Sequence, residues 1–578
     1  MLVYHHREQN ISPRSLLEEL RRASAAAAEC RRAPHDTIVD LLIRAGELEA
    51  TIVDALCPEQ DDDQALAREC RRATLSAARA LVASRAGDDG GVGRALEALS
   101  RDLRAIYPGL VPTAGTLRTC EGYALYGLYP EVYADAAERC QDELRATEVC
   151  CIGIRSIGTS LSAVVGAAFE RAGVAVRSVT VRPRGSPVDR VMRATDTLAR
   201  AIGAHRHSYF AVIDEGPGLS GSTVASVAAW LSGLGVPDHR VILFPSHPVN
   251  ADSLGSALAR EVWQRSRVYV GAVEPDLSRR LCGAASMTDI SAGRWRREFL
   301  ARDVAFPAAH PHHERRKFLA RGSRPALLRF AGIGRYGTAV HARACALADA
   351  GFTPPVEGLR EGFLRLQFVA GRPATAADVS ASLLERMAEY ATYLRQHAPA
   401  APERSSTSLQ DMLLHNTAEA LDADRADSLR RALPRVSAFE PAAAVAIDGR
   451  LLPHEWIATN DGTFVKTDAF DHFRDDFFPG PTDIAWDLAG ASIEFGLSRS
   501  GERWLVDRYR RLSGDSNVER RLRFFRLAYL GYRTGYTAFA RATLAGTADG
   551  RRFARLADHY ATRLRLEVDR VTNAPSAP

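Results

Sequence analysis

The sequence predicts a multidomain α/β protein: a helical N-terminal module (1–115), a parallel-sheet α/β domain (116–300), a polar linker (301–323) and a bilobal α+β C-terminal domain (324–578). Three observations carry this expectation. Apolar residues recur at helical spacing through 12–105. From residue 148, short apolar runs alternate with helical stretches, the pattern of βαβ units. Beyond 324, β-like pieces give way to a helical remainder.

Each part follows from its residues. "SPRSLLEELRRASAAAAECRRA" opens with a cap-and-proline signal, Ser12-Pro13, and two further helical patterns follow, with "GDDGG" (87–91) read as a loop. "EVCCIGI" reads as a buried strand, 155–160 as a polar Gly turn, and 161–172 as a helix. "AVRSVTVRP", "SYFAVIDEG" and "RVILFPSH" supply further strands, and "SRVYVGA" a fifth. In "HPHHERRKF", His310, His312 and His313 are ligand types, but no carboxylate or Cys stands at ligand spacing, so a solvated segment is expected. "PALLRF" and "LRLQFVAGRP" are strands, 376–433 is helical, and "AVAIDGRLLPHEWIAT" and "GTFVKTDA" are short β-like pieces.

Composition narrows the class. At 578 residues the chain has room for roughly three or four domains. Its 75 basic and 70 acidic residues leave a net charge of +5, too near balance to imply nucleic acid as the main partner. Arg dominates the basic residues and Ala is abundant, which suggests a GC-rich bacterial genome. Nine scattered cysteines without a CxxC argue against a disulfide framework and a zinc site. No apolar h-region opens the chain, so a cytoplasmic protein and no membrane partner are expected.

The run "FAVIDEGPGLSGSTVASVAAWLSGLG" (210–235) carries the first chemistry. An apolar strand ends in Asp214-Glu215, and the next helix opens on Ser220-Gly221-Ser222-Thr223. Ligands of open parallel sheets bind beyond the carboxyl ends of the strands. Helix N-termini favour anions, and small residues let backbone close around phosphate. Two carboxylates beside a phosphate cradle suit a sugar phosphate.

"VIDEGPGLSGST" resembles the PRPP-binding motif of type I phosphoribosyltransferases, with a loop one residue longer than the commonest form. The resemblance implies that Asp214 and Glu215 bind the ribose hydroxyls and that Ser220, Gly221, Ser222 and Thr223 bind the 5′-phosphate. It places the pyrophosphate loop at "GIRSIGTSL", with Arg155, Ser156, Gly158, Thr159 and Ser160 as contacts. Arg182, Arg184 and Arg190 follow the next strand as further partners of an anion or as part of a lid.

A second run, 454–491, mixes acids with aromatics, His, Asn and Lys. Apolar interleaving puts several of these acids near a core, where they need partners or metal. "DIAWDLAGA" resembles a stretch of the aminoglycoside-phosphotransferase-like kinases, and "HEWIATN" and "VKTDA" fall where that family carries its catalytic loop and its metal-binding Asp. The resemblance implies Asn460 and Asp468 as Mg²⁺ ligands, with Arg329, His454 and Lys466 at the nucleotide phosphates. Glu455 is the substitute base. Asp483 and Asp487 are expected to cap and tie the helical lobe. The chain departs from the family in lacking an Asp base in "HEWIATN", a small-lobe Lys and a Gly-rich loop.

Together these readings imply PRPP-dependent phosphoribosyl transfer to a small nitrogen nucleophile, with a fused ATP- and Mg²⁺-using kinase-like activity. The alternative is a non-catalytic PRPP- or nucleotide-sensing regulator with a degenerate kinase scaffold. The expected partners are small molecules (PRPP, ATP and an acceptor), and a homodimer is compatible with the sequence.

Overall fold

The structure is a computed structural model that describes residues 8–30, 32–186, 189–218, 220–271, 277–282, 286–301, 306–400, 408–437, 442–475 and 477–573. Strand β1 (Glu8–Ile11) precedes helices α1 (Pro13–Glu29), α2 (His35–Leu56), α3 (Ala65–Arg85) and α4 (Asp89–Ala105). Ser12 caps α1 by accepting the Ser15 N–H, with Pro13 in the first turn. Of the expected loop at 87–91, Gly87 and Asp88 form the turn, and α4 begins at Asp89, capped by Asp88 through the Gly91 N–H at 2.8 Å. β1 pairs antiparallel with β2 (Gly115–Arg118), tying the two ends of the module together.

Next come α5 (Glu131–Leu144), β3 (Glu148–Ile154), α6 (Ile157–Arg171), β4 (Ala175–Val181), β5 (Arg184–Ser186), β6 (Asp189–Val191) and α7 (Asp196–Gly203). They are followed by β7 (Tyr209–Ile213), α8 (Ser222–Gly233), β8 (Val241–Phe244), α9 (Ala257–Arg265) and β9 (Arg267–Val268). A parallel sheet forms in the order β4–β3–β7–β8–β9. β3 is buried along almost its whole length, as a strand covered on both faces must be. One face packs against α7, α8 and α9. The other packs against α6, which lies in turn under α2 and α3.

The C-terminal part holds α10 (Leu277–Cys282), β10 (Ser286–Asp289), α11 (Trp295–Phe299), β11 (Lys317–Arg321), β12 (Ala326–Phe330), α12 (Arg335–Asp349), β13 (Val356–Arg360) and β14 (Phe363–Gln367). Its antiparallel sheet runs β10–β11–β12–β14–β13. β15 (Gly371–Pro373), α13 (Ala381–His397), α14 (Leu409–Ala420), α15 (Ala423–Val436), β16 (Trp456–Thr459) and β17 (Phe464–Lys466) follow. The chain ends in α16 (Ala485–Glu494), α17 (Arg499–Ser513), α18 (Val518–Thr543) and α19 (Ala548–Thr572).

Two expectations need correction. The antiparallel sheet begins at Ser286, inside the range assigned to the α/β domain, and the supposed linker 301–323 contains β11. Nor is the histidine segment solvated throughout. His310 is buried and stacks on His313 with ring centroids 3.5 Å apart. The two rings dock on α18 through Thr543 (3.1 Å from His310 Nε2) and Tyr536 (3.2 Å from His313 Nδ1). Burial first, and neighbouring imidazoles second, lower their pKa values to about 4 and about 2, so both rings are neutral at pH 7 and pack as flat surfaces.

The three predicted units also share a core. One buried cluster runs from Leu16 and Leu42 through Leu161 and Ala211 to Phe318, Leu328 and Phe363. Among the described residues, no helix is long and apolar enough to cross a membrane.

Candidate functional site

The order of the parallel sheet selects a place for a ligand. β3 is the first strand of the sheet, β4 lies on one side of it, and β7 lies on the other. The crevice at such a switch point opens beyond the carboxyl ends of β3 and β7. Two loops meet there, Arg155–Ser156 after β3 and Asp214–Gly221 after β7.

Asp214 is half-buried, and its Oδ1 accepts the Glu215 N–H at 2.8 Å. Its carbonyl accepts the Tyr133 hydroxyl at 2.8 Å, which fixes the turn. Burial raises its pKa to about 7, against the opposing pull of the Glu215 N–H and of Arg182. Glu215 accepts the Gly122 N–H through Oε2 at 3.1 Å, and its carbonyl accepts the Ser246 N–H at 2.8 Å. Ser220 Oγ lies 3.0 Å from Ser222 Oγ and accepts the Ser222 N–H at 3.2 Å, while Thr223 sits half-buried in the first turn of α8.

Gly221 is needed for a reason other than phosphate access. Its φ is +72°, and a Cβ there would meet Ala259 Cβ at 2.7 Å and Leu254 Cδ1 at 3.1 Å. The glycine therefore seats α8 against α9. Gly158 serves the crevice directly, since a Cβ would strike the Ile213 carbonyl at 2.7 Å and push α6 away from the end of β7.

The expected pyrophosphate loop is shorter than read, because α6 starts at Ile157 rather than 161. Ser156 remains in the crevice with φ +118° and ψ −112°, a strained conformation for a residue with a side chain. Thr159 and Ser160 face inward, and Ser160 Oγ lies 2.8 Å from the Tyr123 hydroxyl. Arg155 is also turned inward. It donates to Asp54 at 2.7 Å, pairs with Asp61 and donates to the Thr180 carbonyl at 3.0 Å. Arg182 shares Asp54 with it, at 2.7 Å, and Arg118 reaches the same carboxylate at 2.8 Å. Asp54 is thereby held at a pKa of about 2 despite its burial. Arg118, Arg182 and Arg184 line a cavity of about 780 Å³. Arg190 lies on β6 and donates to the Pro183 carbonyl at 3.5 Å.

The second cluster lies where β11, β12, β17 and the segments at 448–455 and 467–475 converge. Asp468 has φ +54°, and its carboxylate accepts from Arg329 at 2.5 Å and from Lys317 at 2.6 Å. Burial opposes ionisation, but Arg329 and Lys317 hold this acid well below the usual carboxylate range. Lys466 is fully buried, with Nζ 3.1 Å from Glu455 and 3.2 Å from Asp448. Glu455 also pairs with Arg450 at 2.8 Å. Asp471 is held by Arg329 and Arg315, and Asp475 by Arg315. Five carboxylates thus stand against five cations.

Asn460 is exposed on the turn between β16 and β17, away from Asp468. The pair expected to hold Mg²⁺ does not fit that ion, since one member is neutralised twice and the other is remote. His454 stacks on Trp295 at 5.2 Å and is within electrostatic reach of Glu455.

The sequence reading missed Asp448. It accepts the Tyr390 hydroxyl at 2.7 Å, lies 3.6 Å from His472 and is drawn to a pKa of about 2 by Lys466 in spite of burial. Asp448, Glu455 and His472 bring ligand-type atoms within 4.8 Å of one another, and Lys466 reaches both acids. The available signal was "VAID", an acid closing an apolar run. Asp487 sits behind it, accepting the Asp448 and Gly449 N–H groups at 2.8 Å each. Asp483 caps α16 through the Ala485 N–H and pairs with Arg521 at 2.6 Å.

No protein-family model and no curated protein matches the chain. Solved structures do. The choline kinase LicA from Streptococcus pneumoniae is 12% identical with a TM-score of 0.32, over 44% of this chain and 89% of that one. A choline/ethanolamine kinase family protein from Mesorhizobium loti is 18% identical with a TM-score of 0.34, over 45% and 86%. Spectinomycin phosphotransferase APH(9)-Ia, solved with ADP and spectinomycin, is 10% identical with a TM-score of 0.32, over 44% and 89%. At these scores the likeness decides nothing about the activity, and the two clusters are read from their own side chains.

Proposed function

We propose that the crevice between the ends of β3 and β7 binds PRPP and that the chain transfers its phosphoribosyl group to a small nitrogen nucleophile. The observation that carries the reading is the position of Asp214-Glu215, at the strand-order switch point and directly before α8. In this reading ionised Asp214 and Glu215 accept hydrogen bonds from the ribose hydroxyls. The start of α8, with Ser220, Ser222 and Thr223, receives the 5′-phosphate. The C1–O bond to pyrophosphate breaks, a C1–N bond forms, and the nucleophile loses a proton to solvent. The carboxylates position the ribose and stabilise positive charge developing on its ring. Because Arg155 is consumed by Asp54 and Asp61, we assign the pyrophosphate to Ser156 and to the neighbourhood of Arg182.

The test is calorimetry with PRPP on Asp214→Asn/Glu215→Gln. Loss of binding in a folded variant supports the reading, and unchanged affinity removes it. Pyrophosphate release with candidate acceptors then separates transferase from sensor.

For the C-terminal cluster we favour a binding or scaffolding role over Mg²⁺- and ATP-dependent transfer. Each carboxylate that would hold metal already holds an internal cation. Mg²⁺-dependent ATP turnover that is lost on Asp468→Ala would overturn this preference.

A further inference from the structure

The segment 306–314, which leads into β11, lines a cavity against α18 and α19. Arg296 anchors it by a two-pronged pair with Asp549, at 2.6 and 2.9 Å. The cavity measures about 500 Å³, within the range of roughly 300–1,000 Å³ typical of small-molecule sites. From this cavity we infer a second ligand site, one that takes a planar heteroaromatic molecule carrying a phosphate or carboxylate.

Charge sets the anion. Arg450, Arg533, Arg552 and Arg555 line the cavity with Glu314 and Glu494; Arg450 pairs with Glu455 at 2.8 Å, Arg533 with Glu494 at 3.2 Å and Arg552 with Asp549 at 3.1 Å. Both acids are engaged. Glu494 accepts hydroxyls from Tyr529 at 2.8 Å and Tyr560 at 2.7 Å, and Glu314 accepts the Gly293 N–H at 2.8 Å and Trp295 Nε1–H at 3.1 Å. Among the described residues no carboxylate pairs with the exposed Arg555, so an incoming anion meets that guanidinium first, beside three others already shared with carboxylates.

Flat surfaces set the ring. His310, His313, Tyr536 and Phe553 line one region, and the Arg533 guanidinium lies 4.8 Å from the centre of the Tyr560 ring. The lining imidazoles of His310, His313 and His454 are neutral at pH 7, because burial, the largest influence on each, disfavours their charged forms. They offer stacking without adding charge.

One orphan group sets the donor. His310 is 6% exposed, and its Nδ1 has no hydrogen-bond partner among the described residues. The Thr543 hydroxyl, 3.1 Å from His310 Nε2, is itself within reach of the Phe539 and Ala540 carbonyls at 3.2 Å. Thr543 thus donates to its own helix and accepts from Nε2–H, which leaves Nδ1 as a bare acceptor. A buried acceptor without a donor is costly, and a ring N–H on the ligand would satisfy it.

The inference does not rest on the PRPP reading, and its test keeps the two apart. Full-length protein is titrated with 5′-UMP, uridine and inorganic phosphate by calorimetry, in parent, Asp214→Asn/Glu215→Gln and Arg552→Ala/Arg555→Ala. The expected result is that 5′-UMP binds and that uridine and inorganic phosphate each bind at least roughly tenfold more weakly, the loss expected for removing one charge-assisted or stacking contact. The Arg552/Arg555 variant should lose 5′-UMP to a similar degree and the Asp214/Glu215 variant should keep it. These cavity substitutions are at half-exposed or exposed arginines, so the fold survives them. Absence of 5′-UMP binding to the parent, equal binding of uridine, or loss only in the Asp214/Glu215 variant overturns the proposal.

Discussion

Replacing Lys466 by Met removes the ammonium that pairs with Asp448 at 3.2 Å, while leaving His472 3.6 Å from Asp448 and Glu455 with Arg450 at 2.8 Å. Removing one partner of a buried ion pair costs about 3–5 kcal/mol, because the other charge stays behind in the interior. Glu455 keeps a cation and Asp448 keeps the Tyr390 hydroxyl, so we expect the low end, about 3 kcal/mol. The pH dependence carries the sharper signature. In the parent, Asp448 titrates at about 2, below its ordinary 3.8, so its contribution is present above pH 4 and is lost only as pH falls toward 2. In Lys466→Met its pKa rises above 3.8. The folded state then binds the extra proton, and the variant regains stability as pH is lowered from 7 toward 5. Urea unfolding followed by the fluorescence of buried Trp456 and Trp486 measures both effects. Lys466→Met/Asp448→Asn should recover most of the loss. The variant also leaves Asp448, Glu455 and His472 open to a divalent cation, and Mn²⁺ at one hundred times its dissociation constant would restore about 2.7 kcal/mol. A Lys466→Met protein that unfolds with the parent at pH 7, or a parent that Mn²⁺ stabilises equally, refutes the idea that this ammonium stands where a metal would.

Other expectations follow from neighbouring geometry. PRPP affinity should rise with pH through about 7, because the ribose hydroxyls need Asp214 ionised and burial holds its pKa there; calorimetry at pH 6 and 8 checks this, and Asp214→Asn should flatten the dependence. Asp487→Ala strands two buried N–H groups, so a loss of about 2–4 kcal/mol in urea titration is expected, with PRPP binding unchanged. Gly221→Val should destabilise the packing of α8 on α9 even without ligand, which differential scanning of the apo protein would reveal as a lowered Tm.

Much of the architecture was legible because the chain punctuates it. Strands β3, β7 and β8 are short apolar runs between Gly- and Ser-rich turns, and Asp214-Glu215 breaks such a run abruptly. The ties made by Asp483 and Asp487 were legible for the same reason. What failed depended on partners distant in sequence. Arg155 looked available until Asp54 and Asp61, about a hundred residues earlier, claimed it. Asp468 looked like a metal ligand until Arg329 and Lys317 met it. The histidine segment looked polar because imidazole is polar in isolation, whereas stacked and buried it behaves as packing material.

The shared core has a consequence for how such a chain divides. Glu47, buried on α2, binds Arg335 at 2.9 Å and the Tyr336 hydroxyl, both at the start of α12. Seven residues further along the same helix, Asp54 binds Arg155 and Arg182 beside the crevice. The Ile333 N–H donates to the Tyr123 carbonyl, and the Tyr129 hydroxyl donates to the Glu361 carbonyl, so the seam is stitched by main chain as well. Cutting the polypeptide anywhere near residue 300 would expose apolar surface on both fragments rather than release two working halves. The two chemical centres are in that sense rooms under one roof beam, and a gene that lost either would have to redesign the wall left standing.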